Sequence, residues 1–329
     1  MSLNTTEHRQ YPIGALSSEE TGNILAQPLC VDTISIDGLA NDWKAKSQVY
    51  KNSSIPNINV VSPHFRPLNV SVAVKQKIDE VIASYRNFIP TDYDLEFVPL
   101  NILITPQKSI ILERARAFAS VATSPLTDDE NAEMCLGSPI RMPRIDAKFL
   151  GTGLNPQNPN QFLSAYQFES DDQDIRYLNF NPRGTRSALQ QVNWSVNGTP
   201  HSLNLESIPI SVGPGTPLVQ VVRVLTGFSI VQGQQVPNYR FVLWNGVHRV
   251  FRLAELGNQE VAALVYELSP DDIPNILVET PKPMILSSQR PLLATDLANG
   301  TISHTFDWTK ANRVIKLQIT VNVETTFVT

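Results

Sequence analysis

The chain has 329 residues, which is long enough for roughly two domains with a substantial core. Charged residues make up only 17% of it, below the roughly 25% of typical soluble proteins, and it contains 24 prolines. The formal net charge of −5 gives no support for a nucleic-acid partner. This polar, turn-rich composition excludes a highly charged protein and favours an all-β or α/β organisation over a helical bundle.

The N-terminal stretch and the two cysteines bear on the cellular compartment. MSLNTTEHRQYPIGALSSEE has neither the apolar core nor the basic start of a secretory signal, and no run approaches the ~18 apolar residues that span a membrane. Cys30 and Cys135 lie far apart, in no CxxC or zinc-ligand spacing, which favours two inert thiols. We therefore expect no metal site formed by side chains of the protein, no membrane partner, and a protein that is cytoplasmic or belongs to an assembled particle.

Composition divides the chain into three expected regions. Residues 1–66 are rich in Ser, Asn and Pro and predict an extended N-terminal arm. Residues 67–150 predict a helix-containing α/β region, and residues 151–329 predict a β-rich domain. The stretch GTGLNPQNPN at 151–160 resembles a linker and sets the second boundary.

In chain order, the first predicted elements are one strand and two helices. The strand runs from Cys30 to Ile36. Apolar residues at three- and four-residue steps predict helices from Asn69 to Phe88 and from Gln107 to Val121. The acidic cluster at 128–130 is typical of a helix start, because adjacent acids cannot all face one metal ion from a helix.

The remaining residues predict mainly strands. Alternating patterns favour strands at 162–170, 175–180 and 218–225, and Asn197-Gly198 is a hairpin turn signal. Residues 313–328 alternate apolar and polar side chains, which predicts a half-buried strand with an edge available to a partner.

The stretch from Tyr239 to Leu268 predicts a strand, a turn, a helix and a second strand. Asn245-Gly246 is a strong turn signal, and the helical spacing begins near Val250. His248 and Arg249 therefore fall where a turn opens into a helix, where unpaired backbone N–H groups and the helix dipole favour an anion.

Six positions in this stretch form a recognisable signature: Gly246, His248, Arg249, Ala254, Gly257 and Val261. With them, the stretch resembles the core signature of the superfamily that contains the ParB chromosome-partitioning proteins and sulfiredoxin. The resemblance implies an α+β fold with few helices, whose mixed sheet has a ParB/sulfiredoxin-like core in the C-terminal half and a β-rich C-terminus. It also implies a phosphate-binding turn and a nucleoside triphosphate with magnesium as ligand.

Two departures narrow what the resemblance implies. Sulfiredoxin has a cysteine in the turn where this chain has Val247, which argues against sulfinic-acid reduction. Residues 269–329 predict strands and proline-broken loops where ParB has a helix-turn-helix region, which argues against DNA partitioning of that type.

Two functions remain open. The first is nucleotide or phosphate binding, with action on phosphodiesters as an extension: Gly246, His248, Arg249 and Arg252 would bind phosphate, and His248 and Glu255 are weak catalytic candidates. Alternatively, these residues have only a structural role: His248 and Arg249 cap the helix, or Arg249 pairs with Glu255 or Glu260. The second function is a structural or assembly protein without catalytic activity, such as a phage or virion component, which self-associates or joins a large complex.

Overall fold

The computed structural model describes residues 6–54, 57–61, 64–86, 89–137 and 218–309 in full; within 138–217 and 310–329 it describes only the backbone of strands. The chain forms two compact units. One comprises residues 1–139 and 216–310, and the other comprises residues 140–215 and 311–329. The three predicted regions, divided after residues 66 and 150, are each continuous in sequence. Each observed unit instead consists of two segments that are distant in sequence.

The described elements are numbered in chain order. The helices are α1 (Ser18–Leu25), α2 (Ile36–Asn52), α3 (Val72–Ser84), α4 (Leu112–Ala117), α5 (Asp128–Ala132), α6 (Val247–Leu256), α7 (Lys282–Leu286) and α8 (Ala294–Ala298). The strands are β1 (Thr6–Tyr11), β2 (Arg66–Pro67), β3 (Asp94–Pro99), β4 (Leu103–Ile104), β5 (Ile110–Ile111), β6 (Ile145–Asn155), β7 (Asn158–Ser170), β8 (Ile175–Phe180), β9 (Gln191–Val196), β10 (Thr199–Asn204), β11 (Ile210–Pro214), β12 (Gln220–Val231), β13 (Gln234–Asn245), β14 (Glu260–Leu268), β15 (Ile276–Leu277), β16 (Thr280–Pro281), β17 (His304–Thr309) and β18 (Arg313–Asn322).

A mixed six-stranded sheet in the order β2-β3-β14-β12-β13-β4 organises the first unit. β12 pairs parallel with β14, and β13 pairs parallel with β4, while the other neighbours are antiparallel. The central strands are apolar on both faces, as expected of strands covered on both sides, and residues 261–265 of β14 are fully buried. Helices and a mixed sheet occur together and strands dominate the C-terminal half, so the predicted α+β class is confirmed.

Residues 6–52 pack as folded structure. β1 lies between β17 and β5 in a three-stranded sheet, and α1 and α2 follow it. A second apolar cluster, which includes Ile13, Leu39 and Phe306, lies beside this sheet. The expected extended arm and the strand from Cys30 to Ile36 are therefore corrected: Ser35 caps the start of α2 by accepting a hydrogen bond from the backbone N–H of Gly38.

The two predicted helices of the next region had different outcomes. α3 is present, capped by Ser71, and buries Val74, Ile78 and Val81 as its apolar spacing predicts. The second helix is much shorter than expected. Its first apolar residues form β5 and pair with β1, because β-branched side chains fit a sheet and the partner strand comes from the distant N-terminus.

The second unit consists of strands in its described residues. β18, β7 and β6 form an antiparallel sheet with β18 at its edge. β9 and β10 pair around residues 197–198, which is where the hairpin was predicted. The expected linker at 151–160 instead falls largely within β6 and β7, because Gly and Asn also suit an antiparallel turn.

Candidate functional site

The predicted strand, turn, helix and strand are present as β13, Gly246, α6 and β14. α6 begins at Val247, one turn before the predicted Val250. Gly246 has φ = 96°, a left-handed conformation that glycine adopts without steric cost. A Cβ atom at this position would lie 2.7 Å from Cγ2 and 3.1 Å from Cα of Val219. The turn therefore requires glycine both for its backbone angle and for its close approach to the segment before β12.

His248 and Arg249 are buried, with exposures of 7% and 4%, and have partners inside the protein. Nε2 of His248 accepts a hydrogen bond of 3.3 Å from the backbone N–H of Ile111, so this nitrogen carries no proton. Nη1 of Arg249 donates to the carbonyl oxygen of Cys135 at 3.3 Å, and the guanidinium carbon lies 4.9 Å from the centroid of the Phe118 ring. Burial lowers the pKa of Arg249 below its ordinary value.

Arg252 joins α6 to the segment that follows α4. Its Nε donates to the carbonyl oxygen of Phe118 at 3.2 Å, and its Nη2 donates to those of Ala119 and Ala122 at 3.2 and 2.7 Å. Its Nη1 donates to Oε2 of Glu255 at 2.7 Å. A guanidinium that binds three carbonyl oxygens and a carboxylate fixes the shape of this segment, in which Ala119 has a positive φ of 47°.

Glu255 is held between two arginines. Its Oε1 lies 2.7 Å from Nη2 of Arg116, and its Oε2 lies 2.7 Å from Nη1 of Arg252. Burial tends to raise the pKa of Glu255, but the hydrogen bonds from these arginines outweigh it, so the pKa lies below its ordinary value. A carboxylate with a lowered pKa is a weak general base at neutral pH. Glu255, a catalytic candidate from the sequence, therefore suits a structural role, in which it holds Arg116 and Arg252 in place.

The start of α6 is covered by protein. β5 supplies the N–H group that binds His248, and the π-helical turn at 133–137 supplies the carbonyl that binds Arg249. Backbone carbonyl oxygens of residues 118–122 and 135 already accept the hydrogen bonds of Arg252 and Arg249 that a phosphate would need to accept. The same π-helical turn holds Cys135, whose thiol pKa burial raises to about 12, which makes it unreactive.

A separate cluster brings His64, Asp94 and Glu96 together on the central sheet. One ligand atom from each residue lies within 4.8 Å of those of the other two. Asp94 and Glu96 alternate along β3 and so share one face, and the cluster lies against Arg223 of β12. The Asp-Leu-Glu alternation at 94–96 is a sequence signal for two of these residues. Nothing in the sequence placed His64 beside them, because that requires the pairing of β2 with β3.

The distal halves of β12 and β13 form a long β-hairpin. We define its residues 226–238 as the arm, which is distinct from the N-terminal arm expected at residues 1–66. Its turn has φ = 51° at Gln232 and 80° at Gly233, the two positive values that a tight hairpin turn of the primed type requires. Phe228, Ile230 and Val231 are 58%, 80% and 45% exposed. Residues 224–239 contain no charged side chain. The arm therefore presents exposed apolar side chains and carries no charge.

Comparisons with known proteins return nothing: no family model, no curated protein and no solved structure matches this chain. Within the part of the chain that the structure describes, none of the helices has the length and apolar character needed to cross a membrane.

Proposed function

We propose that the protein is a non-catalytic assembly protein that associates through its arm, with a ParB/sulfiredoxin-like core as the scaffold. The observation that carries this proposal is the exposure of Phe228, Ile230 and Val231 on an uncharged hairpin. Phe228 and Ile230 alternate along β12 and so share one face. Exposed apolar side chains on one face favour a contact with another protein, because burying them removes apolar surface from water.

The backbone of the arm supports the same proposal. β14 pairs with residues 220–224 of β12, and β4 pairs with residues 241–242 of β13. Among the described residues, none forms a third strand beside residues 226–238. Natural edge strands are usually protected by charged residues or proline. The β12 side of the arm, residues 226–231, has neither, whereas Pro237 interrupts the β13 side, so the N–H and C=O groups of the β12 side suit pairing with a strand of a second copy.

Light scattering of the purified chain tests this proposal. We expect the mass to rise above that of the monomer as protein concentration increases. The double substitution Phe228→Ser and Ile230→Ser should weaken association by about thirtyfold or more, since burying one large apolar side chain is worth about 2 kcal/mol. Val121→Ser is the matched control, because Val121 is 94% exposed and lies outside the arm. A wild-type chain that stays monomeric throughout contradicts the proposal.

A second candidate is nucleotide or phosphate binding at the start of α6. The observation in its favour is local positive charge: Arg249 lies close enough to Arg114 for that charge to lower its pKa further, after the larger effect of burial. The positive end of the α6 dipole adds to this charge. A phosphate would have to displace the segment at 118–122, whose carbonyl oxygens now bind Arg252.

Calorimetry with CTP, ATP and GTP, each with and without magnesium, tests the second candidate. If a nucleotide displaces the 118–122 segment, we expect heat of binding that Arg249→Ala removes. The control is Lys75→Ala, which removes an exposed cation of α3 that lies outside this turn. Absence of heat with all three nucleotides, or equal heat in wild type and Arg249→Ala, excludes phosphate binding at this turn.

A further inference from the structure

The cluster of His64, Asp94 and Glu96 has the composition of a transition-metal site. Nδ1 of His64 lies 3.1 Å from Oε1 of Glu96 and 3.5 Å from Oδ2 of Asp94. Ligands bound to one tetrahedral zinc ion at its usual bond lengths are about 3.4 Å apart. The two separations from Nδ1 fall on either side of that value, and the Asp94 and Glu96 oxygens lie within 4.8 Å of each other, so a small approach of the two carboxylates would bring all three atoms to one ion.

Glu96 is the buried member of this cluster. Its side chain is only 6% exposed, while those of His64 and Asp94 are 57% and 43% exposed. Oε2 of Glu96 accepts a hydrogen bond of 3.2 Å from the backbone N–H of Phe65, which fixes the carboxylate with Oε1 towards His64. A buried carboxylate is costly unless a cation or hydrogen bonds compensate it. This hydrogen bond orients Oε2 and leaves Oε1, which faces His64, to bind a metal ion.

Arg223 supplies positive charge to the cluster. Its Nη1 lies 3.4 Å from both Oδ2 of Asp94 and Nδ1 of His64, and its Nε lies 3.4 Å from Oε2 of Glu267. Nδ1 of His64 cannot accept a hydrogen bond from Arg223 and donate one to Glu96 at the same time. A metal ion removes this conflict, because it binds the unprotonated nitrogen and both carboxylates, while Arg223 keeps Glu267 as its partner.

We propose that His64, Asp94 and Glu96 bind one divalent transition-metal ion of the Zn²⁺ type, in competition with the guanidinium of Arg223. One imidazole and two carboxylates give two negative charges, which match the ion. Three protein ligands leave a fourth position for water, and the exposure of His64 and Asp94 keeps that position accessible. Mg²⁺ binds less tightly here, because it prefers six oxygen ligands and retains its water.

Isothermal titration of the untagged, metal-stripped chain with ZnCl₂ tests this site, with MgCl₂ as the comparison. We expect one Zn²⁺ per chain and weaker binding of Mg²⁺. His64→Ala should lower Zn²⁺ affinity by at least about tenfold, since even the loss of a group that only supports a ligand costs 10- to 100-fold. Arg223→Gln should raise Zn²⁺ affinity, because it removes the competing cation.

The matched control is His8→Ala. His8 is also half-exposed and lies beside two carboxylates, those of Glu113 and Asp307, but it belongs to β1. Its substitution should leave Zn²⁺ affinity unchanged, and far-UV circular dichroism should show that every variant keeps its fold. The proposal is overturned if neither wild type nor Arg223→Gln binds Zn²⁺, or if His64→Ala binds as wild type does. It is also overturned if His8→Ala causes the same loss as His64→Ala.

Discussion

Replacing Gly246 by alanine is expected to lower the free energy of unfolding by about 3 kcal/mol, combining backbone strain and overpacking. The backbone angle of 96° disfavours any side chain, and the new Cβ would lie within 3.1 Å of the Cα atom of Val219. Backbone cannot rotate away as a flexible side chain can, so the β13–α6 junction must shift. Urea unfolding followed by circular dichroism measures the change.

Substitutions at two other glycines separate the contribution of backbone strain from that of the close approach to Val219. Gly233 has φ = 80°, but a Cβ there would meet nothing within 4 Å, so Gly233→Ala should cost about 1 kcal/mol from strain alone. Gly300 has neither a positive φ nor a neighbour within 4 Å, so Gly300→Ala should be close to neutral. If Gly246→Ala costs no more than Gly233→Ala, the close approach to Val219 does not constrain the turn.

Replacing Arg252 by methionine is expected to lower the free energy of unfolding by about 3 kcal/mol, because hydrogen bonds to a charged group contribute about 1.5–3 kcal/mol and are not fully additive. Methionine keeps much of the apolar stem but leaves the carbonyl oxygens of Phe118, Ala119 and Ala122 without their donor. The 118–122 segment should then open more often. Limited proteolysis should cut the variant there faster than it cuts wild type.

Arg116→Met is the matched control for this substitution. Arg116 binds the same carboxylate, that of Glu255, but its own side chain is 55% exposed. Exposed ion pairs contribute little, so this variant should stay within about 0.5 kcal/mol of wild type. Equal losses for Arg116→Met and Arg252→Met would show that the ion pair with Glu255, and not the carbonyl network, stabilises this part of the protein.

The sequence predicts elements well where local patterns decide the structure. α3 combines a capping serine with an apolar stripe, and both signals lie within the helix itself. The β13–α6–β14 stretch is similar, since Gly246 and Gly257 end their elements through left-handed backbone angles that favour glycine. Thr127 and Glu130 form a capping box at the start of α5, as the acidic cluster at a helix start predicts.

Long-range pairing decides the features that the sequence does not reveal. β5 replaces the first turn of a predicted helix because its partner is β1, about a hundred residues away. The burial of His248 and Arg249 depends on segments at 110–137, which are as distant from α6. Helical spacing and turn residues indicate where a helix begins, but they carry no information about what covers it. The same limit applies to His64, Asp94 and Glu96.

Hydrogen–deuterium exchange of residues 226–238 at low and high protein concentration tests the assembly function most directly. The arm's outward backbone N–H groups should exchange more slowly at high concentration, because a second copy would cover them. Other exposed segments should be unaffected, and the Phe228→Ser, Ile230→Ser variant should lose the effect. Exchange of the arm at one rate across all concentrations would contradict the proposal that this protein assembles through its arm.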